Sequence, residues 1–168
     1  WAGYGYVRPL ALHTDPDAAL EAIVVELTHD AAGATRPCEF RYSFRSVHSQ
    51  HERRIRRLQS FDIVFDPVNC DLAVTAMDRE FDQAHDETEW REMTARSPLQ
   101  ALQPESGLRD LDTVLPAALK ALNAQPGAGC IEPDSASLYI DEEGTPRWQV
   151  VAWTEDDTPL HAELDARV

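Results

Sequence analysis

A chain of 168 residues with 43% hydrophobic content and a net charge of −15 is long enough for one domain, or two small ones, to bury a core without a metal or disulfide. Its charge argues against general nucleic-acid binding, because phosphate would be repelled. No apolar run approaches the roughly 20 residues needed to span a bilayer as a helix.

The charge is uneven. Residues 78–168 carry twenty acidic and seven basic residues, a net −13, whereas residues 1–77 carry a net −2. Seven arginines fall between Arg36 and Arg57 against Glu39 and Glu52. Cys38, Cys70 and Cys130 are too few for a disulfide framework and show no zinc spacing.

In chain order, Trp1 to His13 reads as an irregular lead-in that packs on the domain; Trp1, Tyr4 and Tyr6 also fit a membrane surface beside a removed anchor. The start at Trp1, without Met, reads as a mature or trimmed form. Thr14-Asp15-Pro16 has the chemistry of a helix start, and Ala19, Leu20, Ile23, Val24 and Leu27 recur at helical spacing. Cys38 to Arg45 alternates as a strand, with Phe40, Tyr42 and Phe44 on one face. After a polar turn at His48 to His51, a second strand spans about Arg53 to Phe65, with a bulge expected near Leu58. Asp66 to Asn69 is a turn, and a third strand carries Cys70, Leu72, Val74 and Ala76.

Asp78 to Met93 reads as an acidic surface helix linking two halves, and Ser97 to Gly107 as loop. Leu108 to Leu122 forms a helical stripe; Pro116 stands in its first turn if the helix starts near Thr113, or else kinks it. Three short strands follow: Ser137 to Ile140, Arg147 to Thr154 and Leu160 to Asp165. The expected fold is therefore α+β: tandem αβββ units, each an antiparallel sheet packed by a helix, joined by the acidic helix. The units are residues 1–77 and 107–168, with 78–106 as linker, or the two halves share one core.

Residues 107–165 resemble a PepSY-type domain, in which a helix precedes a three-stranded meander. The matching features are Leu115-Pro116-Ala117-Ala118-Leu119-Lys120, the Gly144 turn and the ending Leu164-Asp165, with a fainter likeness at Phe65-Asp66-Pro67. The resemblance implies an extracytoplasmic, non-enzymatic module that binds or restrains a partner. It carries over no catalytic residue. Pro116 and the long connection from Gln125 to Ser135 depart from the family's pattern.

Two surfaces emerge as candidate partner sites. If Leu138, Trp148, Val150 and Ala162 face the helix, then Tyr139, Val151, Trp153 and His161 face away; such a face either binds a protein or packs inside the chain. Arg41, Arg45, Arg54 and Arg56 share a face of the first sheet and either hold an anionic partner or pair with the protein's own carboxylates. His48, His51 and Glu52, and likewise Asp82, Asp86 and Glu89, read as solvated clusters rather than metal sites. No nucleophile elbow, P-loop or dinucleotide fingerprint is present, so no cofactor and no catalytic residue is assigned. Cys38 and Cys70, on strands one and three of a meander, would stand roughly 9.6 Å apart, too far to bridge; Cys38 with Cys130 is the better pair. The leading function is a binding module acting through sheet faces. The alternative is an acidic immunity- or inhibitor-type protein that neutralises a basic enzyme.

Overall fold

A computed structural model describes residues 3–31, 33–50, 55–82, 101–104, 106–127, 129 and 131–167; for 47–50, 55–60 and 76–82 only the backbone is described. The chain runs α1 (Tyr4–Thr14), β1 (Ala19–His29), β2 (Thr35–Gln50), β3 (Ile55–Asp66), β4 (Asp71–Asp82), α2 (Leu111–Asn123), β5 (Ile131–Ile140), β6 (Pro146–Thr154) and β7 (Pro159–Asp165). All seven strands join one antiparallel sheet in the order β4-β3-β2-β1-β5-β6-β7.

This corrects the expectation of tandem αβββ units with separate helix-packed sheets. The first meander has four strands, and β1 pairs antiparallel with β5, so the sheet is continuous across the two halves. Buried residues from both helices and both meanders form one hydrophobic cluster.

The first helix and strand also differ from expectation. Residues 4–14 are helical, and the segment read as a helix from Thr14 is β1. The cause is a β-bulge: the β1–β2 register shifts between Leu20 and Ala22, leaving Glu21 as the extra residue. Leu20, Ile23, Val25 and Leu27 all reach the core, so the bulge produces one three-residue step that mimics helical spacing. β-branched Ile23, Val24 and Val25 suit the strand. Asp15 is instead the residue that closes α1; its carboxylate accepts from the Asp17 amide at 2.9 Å and from the buried Ser46 hydroxyl.

The ladder from Ile55 to Asp66 runs without a register shift, so no bulge exists at Leu58. β2 continues through His48, Ser49 and Gln50, where a turn was expected, because these residues stay paired with Arg57, Arg56 and Ile55. Residues 78–82, expected in the acidic helix, extend β4 by pairing with β3. The rest of that helix, from Gln83, lies outside the described residues, as do His51, Glu52 and Arg54. α2 starts at Leu111, two residues before Thr113, because the Asp110 carboxylate accepts from the Thr113 amide (3.1 Å) and hydroxyl (2.8 Å). Pro116 therefore sits in the second turn.

Three hairpins use one turn. At Asp30, Asp141 and Thr154 the residue's own amide bonds the carbonyl four residues on, its carbonyl accepts from the amide three residues on, and its side-chain oxygen accepts from the amide four residues on. The fourth position is left-handed each time: Gly33 (φ 78°), Gly144 (φ 79°) and Asp157 (φ 56°). Glycine suits that position because it has no Cβ to clash.

Register sets the two faces. Val74, Ile63, Tyr42, Ile23, Leu138, Trp148 and Leu164 form one row across all seven strands on the helix side. The five central members are almost fully buried, whereas Val74 on the edge strand is 45% exposed. One residue along, Ala73, Val64, Arg41, Val24, Ser137, Gln149 and Glu163 form the matching row on the other face. Side chains alternate with period two, so a core row and an outer row must be adjacent.

Candidate functional site: the outer sheet face

The candidate face is the side of the sheet opposite α1 and α2. Its residues alternate with buried Leu138, Trp148, Val150, Ala152 and Ala162. Tyr139 and Val151 are half-buried there, His161 is exposed and Trp153 is 39% exposed. Val151 stands opposite His161 and Ser135, and Trp153 opposite Glu132 and Pro159. The residues proposed from the last meander thus lie on one face, with Trp153 at its end nearest the β1–β2 hairpin.

Two adjoining depressions of about 340 and 390 Å³ meet at Trp153, His29 and Glu132. Asp134 borders one and Glu155 the other, so the exposed indole stands among carboxylates. An indole face beside negative charge suits a guanidinium or ammonium group.

At the other end of β6 the face is polar. The Tyr139 hydroxyl donates to Glu163 Oε1 (3.4 Å), and Gln149 Nε2 donates to the same oxygen (3.3 Å). Burial, and then the Glu163 charge, raises the Tyr139 phenol above its ordinary pKa, so it remains a donor. Arg147 Nε donates to Asp141 Oδ2 (3.0 Å), and Arg167 grips both oxygens of Asp165. Asp141 is held below the usual carboxylate range chiefly by the Thr145 amide and Arg147, and Asp165 chiefly by Arg167. Arg147, Gln149 and Glu163 were absent from the sequence-based set, although period two along residues 147–153 and 161–165 places them on this face.

The arginine set divides. Arg41 is on the outer row, its guanidinium 3.5 Å from Glu39 and its side chain 47% exposed. Arg45 is only 12% exposed and pairs with Glu21 at 3.0 Å. Glu21 is the bulge residue of β1, so the bulge that disguises the strand also supplies this ion pair. Arg45 is consequently bound to the protein's own carboxylate rather than held out for a partner. Arg56 is described by its backbone, paired with Ser49 and Phe81, and Arg54 lies outside the described residues.

Cys38 and Cys70 are free thiols. Cys38 is the extra residue of the second register shift in the β1–β2 ladder; its Sγ lies 3.4 Å from the Glu26 carbonyl, and burial with Glu26 and Glu39 pushes its pKa up. That environment makes a poor nucleophile. Cys130 lies outside the described residues. Among the described residues, no group of three His, Cys, Asp or Glu side chains is placed to hold a metal ion, and no helix is long and apolar enough to cross a membrane.

No family model, no curated protein and no solved structure matches this chain.

Proposed function

We propose that the protein is a binding module that docks a protein partner on its helix-free sheet face, with Trp153 as the anchor. The observation that carries this reading is the outer row from Ala73 to Glu163, which crosses every strand on the side away from both helices. Six interstrand steps make a surface roughly 29 Å wide. Over a strand length of about 30 Å that is near the ~800 Å² per partner of a standard interface. Val24, Val64 and Val151 supply half-exposed apolar area, and Trp153 is the kind of residue that dominates binding energy. The carboxylates of Glu132, Asp134 and Glu155 around Trp153 favour a partner presenting a basic side chain. They also support a second reading, an inhibitor-type protein that neutralises a basic enzyme. The succession of α2 and the meander β5-β6-β7 is the one a PepSY-type domain implies, and it brings an extracytoplasmic setting into the proposal.

Capture experiments with the wild type, Trp153→Ala, Val151→Arg and the helix-side control Lys120→Gln test this. The expected outcome is a partner retained by Lys120→Gln and lost by both outer-face variants. Equal capture by all four proteins would refute docking on this face. Loss of the wild-type complex at high salt would favour the inhibitor reading, because exposed charge pairs are screened over about 10 Å at 0.1 M salt.

A further inference from the structure

Exposed apolar side chains gather at one edge of the sheet. Among the described residues, the exposed large hydrophobics are Tyr6, Leu12, Val68, Leu72, Val74 and Trp153, and four of these six are at the β3–β4 hairpin. Val68 is in its turn, and Leu72 and Val74 are in β4. Leu72 pairs with Phe65, on whose ring Tyr6 stacks with 6.5 Å between centroids. Leu72 and Val74 are on the helix side, where the core row through Tyr42 and Ile63 ends unfinished at Val74. Exposed apolar residues grouped in this way mark an association surface.

The two edges of the sheet differ. At β7, Gln125 Nε2 donates to the His161 carbonyl (2.7 Å), Arg109 donates to the Asp165 carbonyl, and Leu108 bridges to Arg167 just past the strand. The chain therefore covers that edge itself. At β4, residues Asp71 to Thr75 are all exposed, and among the described residues only β3 pairs with them. The devices that protect an edge are missing there: the β3–β4 ladder has no bulge, and residues 71–75 hold no proline or lysine and one charge, Asp71, at their end. An unprotected edge is a template for a further strand.

We infer that β4 is a self-association edge, where a second copy of this chain pairs antiparallel through Asp71–Thr75 about a two-fold axis at Ala73. The register is what selects a second copy. Residues opposed in antiparallel strands share a face. An axis at Ala73 sets Leu72 against Val74 of the second copy, twice, on the helix side, and Asp71 against Thr75 on the outer side. Apolar residues meet apolar residues and no like charges are opposed. An axis at Thr75 would instead set Leu72 against Asp78. A two-fold pairing is closed, so it ends at the dimer. The axis is perpendicular to the sheet, so both outer faces lie on one side of the joined sheets. The pairing itself does not depend on docking at that face. Five residue pairs flanked by Tyr6 and Val68 make an interface below about 1,200 Å², so the dimer is weak and reversible.

Sedimentation of the full chain from about 5 to 500 μM, the range a small interface calls for, tests this. The expected result is a monomer converting to a dimer as concentration rises. Each copy carries a net charge of −15, so added salt should strengthen the dimer by screening repulsion. Val74→Lys, at an exposed edge position, should leave the circular dichroism unchanged and abolish the dimer, whereas Val151→Arg should retain it. In a Cys70→Ser background, Ala73→Cys should cross-link two copies at position 73 on oxidation, and Thr75→Cys should not. A monomer at every concentration would overturn the proposal and leave the edge to a different chain. A dimer indifferent to Val74→Lys would place the contact elsewhere, and open-ended assembly would overturn the two-fold register.

Discussion

The Ser46 hydroxyl donates to the Asp15 carboxylate across thirty-one residues of sequence, and both side chains are buried. The bond fastens the C-terminal end of α1 to the C-terminal part of β2. Hydrogen bonds to a charged group are worth about 1.5–3 kcal/mol, and a buried carboxylate that loses a partner retains its desolvation cost. Ser46→Ala should therefore destabilise by about 1.5–3 kcal/mol. Asp15→Ala should cost at least as much, since the Asp17 amide also loses its acceptor. Urea unfolding of the two single variants and the double variant checks this; the double should cost clearly less than the two singles together.

Gly3 and Gly5 make opposite predictions two residues apart. A methyl group at Gly3 meets the Tyr42 hydroxyl and the Phe65 ring, whereas one at Gly5 meets nothing within 4 Å. Overpacking of this kind costs about 1–3 kcal/mol. Alanine in a helix gains roughly 0.5–1 kcal/mol over glycine. Thermal melts should show Gly3→Ala lowered and Gly5→Ala unchanged or raised.

Asp157 occupies the left-handed position that glycine fills in the two sister turns. Asp157→Gly should stabilise by about 0.5–1 kcal/mol, because the strained φ is relieved by more than the added chain entropy costs. Gly144→Ala should lose about 1 kcal/mol at the equivalent position. Chemical denaturation of the two variants measures both signs.

Asp66, Asp110, Asp141 and Asp165 all have folded-state pKa values below the ordinary carboxylate value of 3.8. In the window from about pH 4 downward the unfolded chain binds more protons, so stability rises with pH. The stabilisation is fully present above the unfolded value and is lost as pH falls through the folded values. Arg167→Gln removes the main cause of the Asp165 shift and should flatten this acid limb by lowering stability near pH 7 while leaving it unchanged near pH 2, the loss being small because the pair is exposed. Unfolding midpoints recorded from pH 2 to pH 7 decide it.

Local chemistry was legible wherever neighbours in sequence are neighbours in space. The alternation of Phe40, Tyr42 and Phe44, the turn at Asp66-Pro67-Val68-Asn69 and the meander of β5, β6 and β7 each depend on contacts within a hairpin. So does the outward placement of Tyr139, Val151, Trp153 and His161, which period two dictates once the strands are known. The recurring turn of Asp30, Asp141 and Thr154 is likewise local and has the sequence pattern Asp/Thr-x-x-Gly/Asp.

What the tertiary structure alone decided depends on partners far apart in the chain. Leu20 and Ile23 show helical spacing until β2 and β5 claim both edges of β1, and the bulge at Glu21 then accounts for the missing alternation. Asp15 has the chemistry of a helix start until Ser46 shows that it closes one. Arg45 reads either as a cation for an anionic partner or as the mate of one of the protein's own carboxylates, and the bulge decides by delivering Glu21 to it. The pairing of β1 with β5, which merges two meanders into one seven-stranded sheet and creates the wide outer face, joins segments more than a hundred residues apart. No local propensity encodes that step; it follows from burying Ile23 and Leu138 side by side beneath the helices.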